Sequence, residues 1–278
     1  MTNTTRSLVC TVLLAGFALV SAHAQSVYEP FAYTNGDPLP GKVLGGSYTW
    51  NFQNSGTDVT IASGNLSVSG LAAPTGSSAS LPGGNFKEAV LPFTTTPVSS
   101  GTIFYSFAFN LSSLPTATAY SFGFNSSTSF ASTIWLQASG GGYVIGLSNR
   151  SSGSTPVYDS TVFATGTTVF IVGSYEFVSG TANDVSKLWI NPSSATFDDL
   201  AVPSAALTST GGTDMTSINS FLIRGATGSP AGTFDELRIG TTWAAVTPAA
   251  IPEPSTYAAL LGALALAGVM LRRRSRLA

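Results

Sequence analysis

Carboxylates and tryptophans are the side chains of this 278-residue chain that could bind a ligand or carry out a reaction. The adjacent carboxylate pairs are Asp198-Asp199 and Asp235-Glu236. Cleavage of a glycosidic bond needs two carboxyl groups that converge across a cleft, whereas neighbouring side chains on a strand point to opposite faces of the sheet. Neither pair therefore predicts a glycosidase dyad.

Asp235 is the candidate for a ligand-binding carboxylate. Alternation along its predicted strand places it on the face shared with Leu237 and Ile239. An ionised carboxylate that faces a core is costly unless it is paired, hydrogen-bonded or bound to a metal. Two interpretations stay open: Asp235 binds nearby backbone N–H groups or an arginine such as Arg224, or it is an oxygen ligand of Ca²⁺.

Trp135 is the candidate for a binding platform. It lies between Thr133 and Gln137, on the face opposite Ile134 and Leu136, which predicts a partly exposed indole beside polar side chains. Sugar rings have apolar faces that can stack on such a surface. Trp135 and Gln137 are therefore candidate ligand-binding residues, with coverage of a second core layer as the alternative for Trp135. The other tryptophans are predicted to be packing residues: Trp50, Trp189 and Trp243.

Composition excludes several kinds of chemistry. Cys10 is the only cysteine and His23 the only histidine, and both precede the first residue that we expect in the mature protein. The mature chain then has no disulfide, no nucleophile activated by histidine and no zinc site of histidine and cysteine. Calcium at Asp235 is the one cofactor that the sequence suggests. Between residues 25 and 250, six basic residues stand against twelve acidic ones, a net charge of −6. Nucleic acid is therefore not an expected partner.

Short runs of aromatic and β-branched residues recur between clusters of Gly, Ser, Asn and Pro, which favours an all-β fold. In the clearest run, Ile103, Tyr105, Phe107 and Phe109 share one face, and Tyr120, Phe122 and Phe124 alternate in the same way further on. About a dozen strands predict an antiparallel β-sandwich of two sheets. The other predicted strands are Asp58–Ser69, Thr133–Ala138, Tyr143–Ser148, Val157–Phe163, Thr167–Val178, Val185–Ile190, Asn219–Arg224 and Thr233–Gly240.

The N-terminal 24 residues have the features of a secretory signal peptide. Arg6 precedes an apolar stretch from Leu8 to Val20, and the small residues Ala22 and Ala24 form the pattern that signal peptidase accepts. The apolar stretch is too short to span a bilayer comfortably. We therefore expect export and cleavage before Gln25.

The C-terminal region has three features in a fixed order. Fifteen apolar residues, Tyr257–Leu271, would form a helix of about 22 Å at about 1.5 Å per residue. Flanking residues and snorkelling arginines extend the reach of this helix toward the roughly 30 Å thickness of a hydrocarbon core. We therefore predict a single transmembrane helix at about 256–271. Its arginines should lie on the cytoplasmic side. The flanking motifs are Pro252, Glu253 and Pro254 before the helix, and Arg272, Arg273 and Arg274 after it.

This tail resembles the PEP-CTERM sorting signal of Gram-negative bacteria. The resemblance implies recognition by an exosortase-type membrane protease and cleavage near Pro252-Glu253-Pro254. It also implies a precursor anchored in the inner membrane with its body in the periplasm. Delivery to the cell surface or the extracellular matrix would follow.

The ends of the body resemble laminin-G/concanavalin-like jelly rolls. The resemblance is carried by Tyr28-Glu29-Pro30-Phe31, Gly45-Gly46 and Trp50, and by Phe234–Gly240 before Trp243. It implies that the first and last strands lie near each other in one sheet. Concanavalin-like glycosidases usually carry a Glu-x-Asp-x-x-Glu strand, and this chain has no such spacing.

The sequence thus predicts a signal peptide at 1–24, a β-sandwich at 25–243, a linker at 244–250 and a sorting signal at 251–278. We expect an exported, non-enzymatic surface or matrix protein, with weak binding of a carbohydrate such as exopolysaccharide. A structural module without a ligand is one alternative. A carboxylate-dependent polysaccharide-acting enzyme, either a glycoside hydrolase or a lyase, is the other.

Replacement of Pro252, Glu253 and Pro254 by alanine should leave the protein in the membrane with its C-terminal tail intact, because the protease loses its recognition motif. Fractionation and immunoblotting of the variant and the wild type measure this. Equal release of the two proteins would show that the motif does not direct processing.

Overall fold

A computed structural model of the chain, which describes residues 25–251 and residue 266, confirms the all-β prediction. Two antiparallel sheets pack on each other around a shared apolar core. The predicted signal peptide lies outside the described residues, and so does the predicted transmembrane helix apart from residue 266. Among the described residues, the structure contains no helix with the length and hydropathy of a membrane span.

The described chain contains seventeen strands and two short helical segments, joined by loops. The helical segments are a 3₁₀ turn at Ser194–Thr196 and the helix α1 at Trp243–Val246. In chain order the strands are β1 (Gln25–Glu29), β2 (Val43–Leu44), β3 (Tyr48–Thr49), β4 (Asn51–Gln53), β5 (Thr60–Ala62), β6 (Ser78–Pro82), β7 (Glu88–Pro92), β8 (Gly101–Leu111), β9 (Ala119–Ser126), β10 (Ser129–Ser139), β11 (Gly142–Arg150), β12 (Val157–Tyr158), β13 (Thr168–Phe177), β14 (Val185–Ile190), β15 (Leu207–Thr210), β16 (Ser220–Ile223) and β17 (Ala231–Gly240).

The strands form two large sheets and one small hairpin. The eight-stranded sheet has the order β15-β14-β13-β8-β17-β6-β5, with β1 paired to β17. The seven-stranded sheet has the order β12-β11-β10-β9-β16-β7-β4, and β2 pairs with β3. Val27 of β1 lies opposite Ile239 of β17, and Glu29 lies opposite Leu237. The first and last strands are therefore neighbours, as the jelly-roll resemblance implied.

Alternation along β8 builds the core between the sheets. Its inward side chains are at most 2% exposed, namely Ile103, Tyr105, Phe107 and Phe109. The ring centroid of Phe107 lies 4.8 Å from that of Phe234 in the same sheet and 4.9 Å from that of Phe122 in the other. The two sheets are thus joined by aromatic contacts, which add to the free energy gained by burying their apolar area.

Tyr105 also links the sheets by a hydrogen bond. Its buried hydroxyl donates to the backbone oxygen of Ser132 on β10, at 2.7 Å. The ring lies directly over Gly173 of β13, where an added Cβ would come within 2.2 Å of a ring atom. Glycine is therefore required at 173, because any side chain would displace the tyrosine.

The outer face of the eight-stranded sheet carries a second apolar cluster. Phe104, Phe170, Val172 and Trp189 are at most 5% exposed on that face. They are covered by Leu71, Phe197, Trp243 and Val246, which lie outside the strands. The rings of Trp189 and Trp243 meet edge to face at a centroid distance of 5.1 Å. The buried positions predicted for Trp50, Trp189 and Trp243 are confirmed.

Much of this cover is a C-terminal segment, residues 243–250, which we call the strap. Its helix α1 is capped by the Thr242 hydroxyl, which accepts from the N–H of Ala245. The Trp243 indole N–H donates to the carbonyl of Thr196 at 2.7 Å, and Ser106 on β8 donates to the carbonyl of Val246 at 2.6 Å. The predicted linker at 244–250 is thus corrected: these residues belong to the folded body, because the second cluster needs them as cover.

Trp243→Ala should lower the free energy of unfolding by about 3–5 kcal/mol, because it opens a cavity in the second cluster and removes the bond to Thr196. Leu200→Ala is the control, since Leu200 is 92% exposed, and it should change stability by less than about 0.5 kcal/mol. Urea unfolding followed by tryptophan fluorescence measures both. Equal effects of the two substitutions would contradict the packing described for the strap.

Candidate functional site

A β-bulge places Asp235 differently from the sequence prediction. Phe234, Leu237 and Ile239 all belong to the core between the sheets. The register of β17 with β8 shifts between Asp235 and Arg238, and Glu236 has a φ of +59°. The extra residue interrupts strict alternation. The prediction that Asp235 shares a face with Leu237 and Ile239 is therefore wrong.

The Asp235 carboxylate binds backbone N–H groups. It accepts from the N–H of Leu66 at 2.8 Å and from the N–H of Glu236 at 2.7 Å. Arg224, the suggested partner, instead pairs with Glu88, with 3.2 Å between Nε and Oε1. Around Asp235 and elsewhere in the described chain, no group of three or more carboxylate, histidine or cysteine side chains is placed to hold a metal ion. The contacts present are those of a carboxylate that fixes the loop at Leu66 to the bulge.

The neighbour of Asp235 belongs to a buried ionic cluster. Glu236 accepts from the hydroxyl of Tyr28 at 2.6 Å and pairs with Arg238 at 2.5 Å. The Arg238 guanidinium lies 4.5 Å from the centroid of the Tyr28 ring. Glu236 and Arg238 are only 1% and 2% exposed, whereas Tyr28 is half-buried. The cluster joins β1 to the bulge of β17.

Trp135 lies half-buried on the outer face of the seven-stranded sheet. Its neighbours Ile134 and Leu136 point into the core, and Gln137, two residues further along β10, is exposed. The indole N–H donates to the hydroxyl of Thr133 at 3.1 Å. The indole edge is therefore fixed while part of its surface remains accessible.

Tyr120 joins Trp135 on this face because of a second bulge. Strict alternation predicts Tyr120 in the core with Phe122 and Phe124, but the register of β9 with β10 shifts between Ile134 and Trp135. Tyr120 consequently lies opposite Trp135, with 5.6 Å between ring centroids. The core placement predicted for Tyr120 is corrected, and no feature of the sequence marks the bulge.

Two further aromatic rings flank this pair. Phe130 contacts Tyr120 at a centroid distance of 5.5 Å and is half-buried. On the other side, Gly146 of β11 is the register partner of both Trp135 and Tyr158. A Cβ at Gly146 would come within 2.7 Å of the Tyr158 ring, so that ring lies over Gly146 beside Trp135. We call Tyr120, Phe130, Trp135, Gln137 and Tyr158 the sheet-face platform.

Two arginines border the platform. The Arg224 guanidinium lies 4.1 Å from the centroid of Tyr120 and pairs with Glu88. Burial raises the pKa of Glu88, although Arg224 counteracts part of this effect. Arg150 donates from Nε to the carbonyl of Phe130 at 3.1 Å and from its terminal nitrogen to the carbonyl of Thr213. Arg224 thus packs on the Tyr120 ring, and Arg150 fixes the backbone at Phe130.

A cleft of about 320 Å³ lies on the other sheet, next to the second cluster. Its lining combines hydroxyl groups and one amide with apolar side chains. The lining residues are Ser67, Val68, Ser69, Thr168, Phe170, Asn191, Pro192, Ser194 and Phe197. Because none of them is charged at neutral pH, this cleft supplies no carboxylate for acid–base chemistry.

The sorting residues inferred from the sequence lie outside the described part of the chain, and so do Ala22 and Ala24. Residues 250–274 match the model of the PEP-CTERM protein-sorting motif. The chain therefore carries this motif, which marks an exported precursor anchored in a membrane and directed to an exosortase. No curated protein matches the chain.

Solved structures with a similar chain trace include an endo-β-1,4-glucuronan lyase from the fungus Trichoderma reesei. It has 16% sequence identity and a TM-score of 0.43, and the match covers 77% of this chain and 99% of that one. Domain 4 of AbnA, a GH43 extracellular arabinanase from Geobacillus stearothermophilus, in complex with arabinotriose, has 19% identity, a TM-score of 0.43, and coverage of 77% and 91%. The binding domain of botulinum neurotoxin DC in complex with SialylT has 9% identity, a TM-score of 0.45, and coverage of 77% and 49%. These similarities identify neither a substrate nor a reaction for this chain.

Stability should fall between about pH 4 and pH 7 through the titration of Asp235. Burial raises the pKa of Asp235 to about 7, against about 3.9 in an unfolded chain. In this range the folded state holds the proton more tightly than the unfolded state. The contribution to the free energy of unfolding is therefore full below pH 4 and is lost as the pH rises through 7.

Asp235→Asn should remove a slope on the order of 1 kcal/mol per pH unit within this range, because asparagine does not titrate. Urea unfolding at several pH values measures the slope, and the other titrating groups cancel in the comparison with wild type. Asp199→Asn is the control, since Asp199 is exposed, and it should keep the wild-type slope. An Asp235→Asn slope equal to that of wild type would contradict the assignment.

Proposed function

We propose that this chain, which carries the PEP-CTERM sorting motif, is a non-enzymatic protein of the cell surface or extracellular matrix whose β-sandwich binds polysaccharide through the sheet-face platform. The N-terminal signal peptide starts export and is removed by signal peptidase. The C-terminal helix then holds the precursor in the inner membrane, with the body in the periplasm, until an exosortase-type protease processes it. A jelly-roll, concanavalin-like topology is part of this proposal.

The single observation that supports carbohydrate binding is the row of aromatic rings on one sheet face. Trp135 and Tyr158 offer apolar ring surface to solvent on a rigid sheet, and the exposed amide of Gln137 can donate to or accept from sugar hydroxyls. One sugar ring on such a surface binds weakly, on the order of millimolar. A polymer with repeated units, contacted by many copies of the protein, gains avidity.

The non-enzymatic part of the proposal rests on how the buried carboxylates are used. Glu29 accepts from the Trp50 indole at 2.7 Å, from the Phe31 N–H at 2.7 Å and from the Tyr33 hydroxyl at 2.9 Å. Asp235 likewise binds two backbone N–H groups. A general acid or base has to reach its substrate, which these enclosed groups do not.

Trp135→Ala should weaken binding to polysaccharide by about tenfold or more, because the largest ring of the platform is lost. The detergent-solubilised protein is applied to a glycan array and to affinity gels that contain exopolysaccharide. Phe52→Ala is the matched control, since Phe52 is an exposed aromatic residue on β4, at the far edge of the same sheet. Its binding should equal that of wild type.

Unfolding curves of both variants check that the fold is retained. Polysaccharide binding that is equally strong in Trp135→Ala would move the site away from the platform. Absence of binding to every polysaccharide would leave a structural module. Shortening of the polymer by the wild-type protein would revive the hydrolase or lyase alternative.

A further inference from the structure

Arg224 points to the same outer face of the seven-stranded sheet as the sheet-face platform. Its neighbour Ile223, the last residue of β16, belongs to the core between the sheets, so the next side chain points outward. The central carbon of the guanidinium lies over the Tyr120 ring, 4.1 Å from its centroid, and that centroid lies 5.6 Å from the Trp135 ring. A saccharide chain that stacks on the indole and runs toward Tyr120 therefore reaches the guanidinium.

Part of the Arg224 guanidinium is available to a ligand. Its Nε lies 3.2 Å from Oε1 of Glu88, and its Nη1 donates to the carbonyl of Tyr120 at 3.4 Å. Nη2 makes no hydrogen bond to any residue that the structure describes, and the side chain is 25% exposed. The planar fork of Nη1 and Nη2 is the shape that binds both oxygens of a carboxylate.

Glu88 holds the guanidinium in one orientation. Glu88 is 4% exposed, and the side chain of Asn54 forms a further hydrogen bond with its carboxylate. Because Glu88 faces Nε, it fixes Arg224 from one side and leaves the fork of Nη1 and Nη2 for a ligand.

Arg150 adds an unpaired positive charge at the same end of the platform. It binds the carbonyl of Phe130, whose ring contacts Tyr120, whereas Asp159 follows Tyr158 at the opposite end. Arg150 forms no ion pair with another described residue, but the other basic residues of the described chain each pair with a carboxylate. Those pairs are Lys42–Asp37, Lys87–Asp58, Lys187–Glu176, Arg224–Glu88 and Arg238–Glu236. The positive charge of the platform is therefore concentrated at its Tyr120 end.

The net charge of −6 between residues 25 and 250 does not oppose a contact with one sugar carboxylate at this end. Exposed charges more than about 8 Å apart are largely screened at physiological ionic strength. Nucleic acid differs, because affinity for it depends on many phosphate contacts at once. A single carboxylate needs one correctly oriented guanidinium.

We infer that the sheet-face platform selects acidic polysaccharides and that Arg224 binds the carboxylate of a uronic acid unit. The inference rests on the proposed function, since it assumes that polysaccharide stacks on the platform. Trp135 supplies ring surface that any sugar can use, whereas the Arg224 fork recognises an anion. Neutral polymers therefore bind weakly, and uronate polymers bind more tightly.

Paired polymers that differ only in charge test this inference. The detergent-solubilised full chain is applied to affinity gels that contain polygalacturonate, polymannuronate or polyguluronate, and to gels with the carboxyl-reduced form of each. At least one polyuronate should bind about tenfold or more tightly than its reduced form, because a charge-assisted hydrogen bond is added. Salt at about 1 M should remove most of this preference, since it screens the ion pair.

Two substitutions at Arg224 locate the contact. Arg224→Gln should abolish the preference for the polyuronate and leave binding to its reduced form unchanged. Arg224→Lys keeps a positive charge beside Glu88, which preserves the fold, but it should lose most of the preference because lysine has no planar fork. Lys187→Gln is the matched control and should keep the preference. Lys187 is a partly exposed base that also pairs with a glutamate, but it lies on β14 in the other sheet.

Unfolding curves show which variants are folded. A preference that survives either Arg224 substitution in a folded protein would overturn the assignment of the carboxylate to the fork. Equal binding of every polyuronate and its reduced form by the wild-type protein would overturn the inference and leave the proposed carbohydrate binding intact. Absence of binding to every polymer would overturn the proposed binding function, and the inference with it.

Discussion

The eight-stranded sheet has to be covered on both faces, and this constraint organises the rest of the molecule. Its central strand β8 places Tyr105 and Phe107 toward the other sheet but Phe104 toward the outside, beside Phe170 and Trp189. Leaving three large aromatic side chains in water would forgo the free energy of their burial, roughly 1.5–3 kcal/mol for each phenylalanine. The strap provides much of that cover, so residues 243–250 are part of the fold.

The outer faces of the two sheets differ in how far they are covered. The outer face of the eight-stranded sheet is closed by α1 and the residues around Leu71 and Phe197. The outer face of the seven-stranded sheet keeps half-buried rings on its surface, including Trp135 and Tyr120. The strap and the platform therefore lie on opposite sides of the sandwich.

Period-two patterns predicted the strands well where the chain is regular. Val185–Ile190 is observed with the predicted bounds, and the run from Ile103 to Asn110 lies within β8. The predicted strand at Asp58–Ser69 is reduced to Thr60–Ala62, because Gly64 turns the chain and the N–H of Leu66 binds Asp235 instead of a neighbouring strand. The strand Ser78–Pro82 escaped prediction, since it has no β-branched or aromatic residue.

Strand alternation predicted only those residues of the candidate site that lie on regular stretches of strand. Trp135 and Gln137 lie on a regular stretch of β10, and their positions follow from alternation. Tyr120 and Asp235 lie at bulges, where one extra residue moves a side chain to the other face. Tyr158 depends on a close approach to Gly146 across two strands, which no local pattern encodes.

Native-state hydrogen exchange tests most directly whether the strap is part of the fold. The N–H groups of Ala72 and Asp198 are bonded to strap carbonyls, and that of Ala250 is bonded to Gly70. If the strap is an integral cover, the amides of Ala72 and Asp198 should exchange about as slowly as those of β8, through opening that approaches global unfolding. Exchange of these amides as fast as that of the exposed turn at Gly140 and Gly141 would contradict the account.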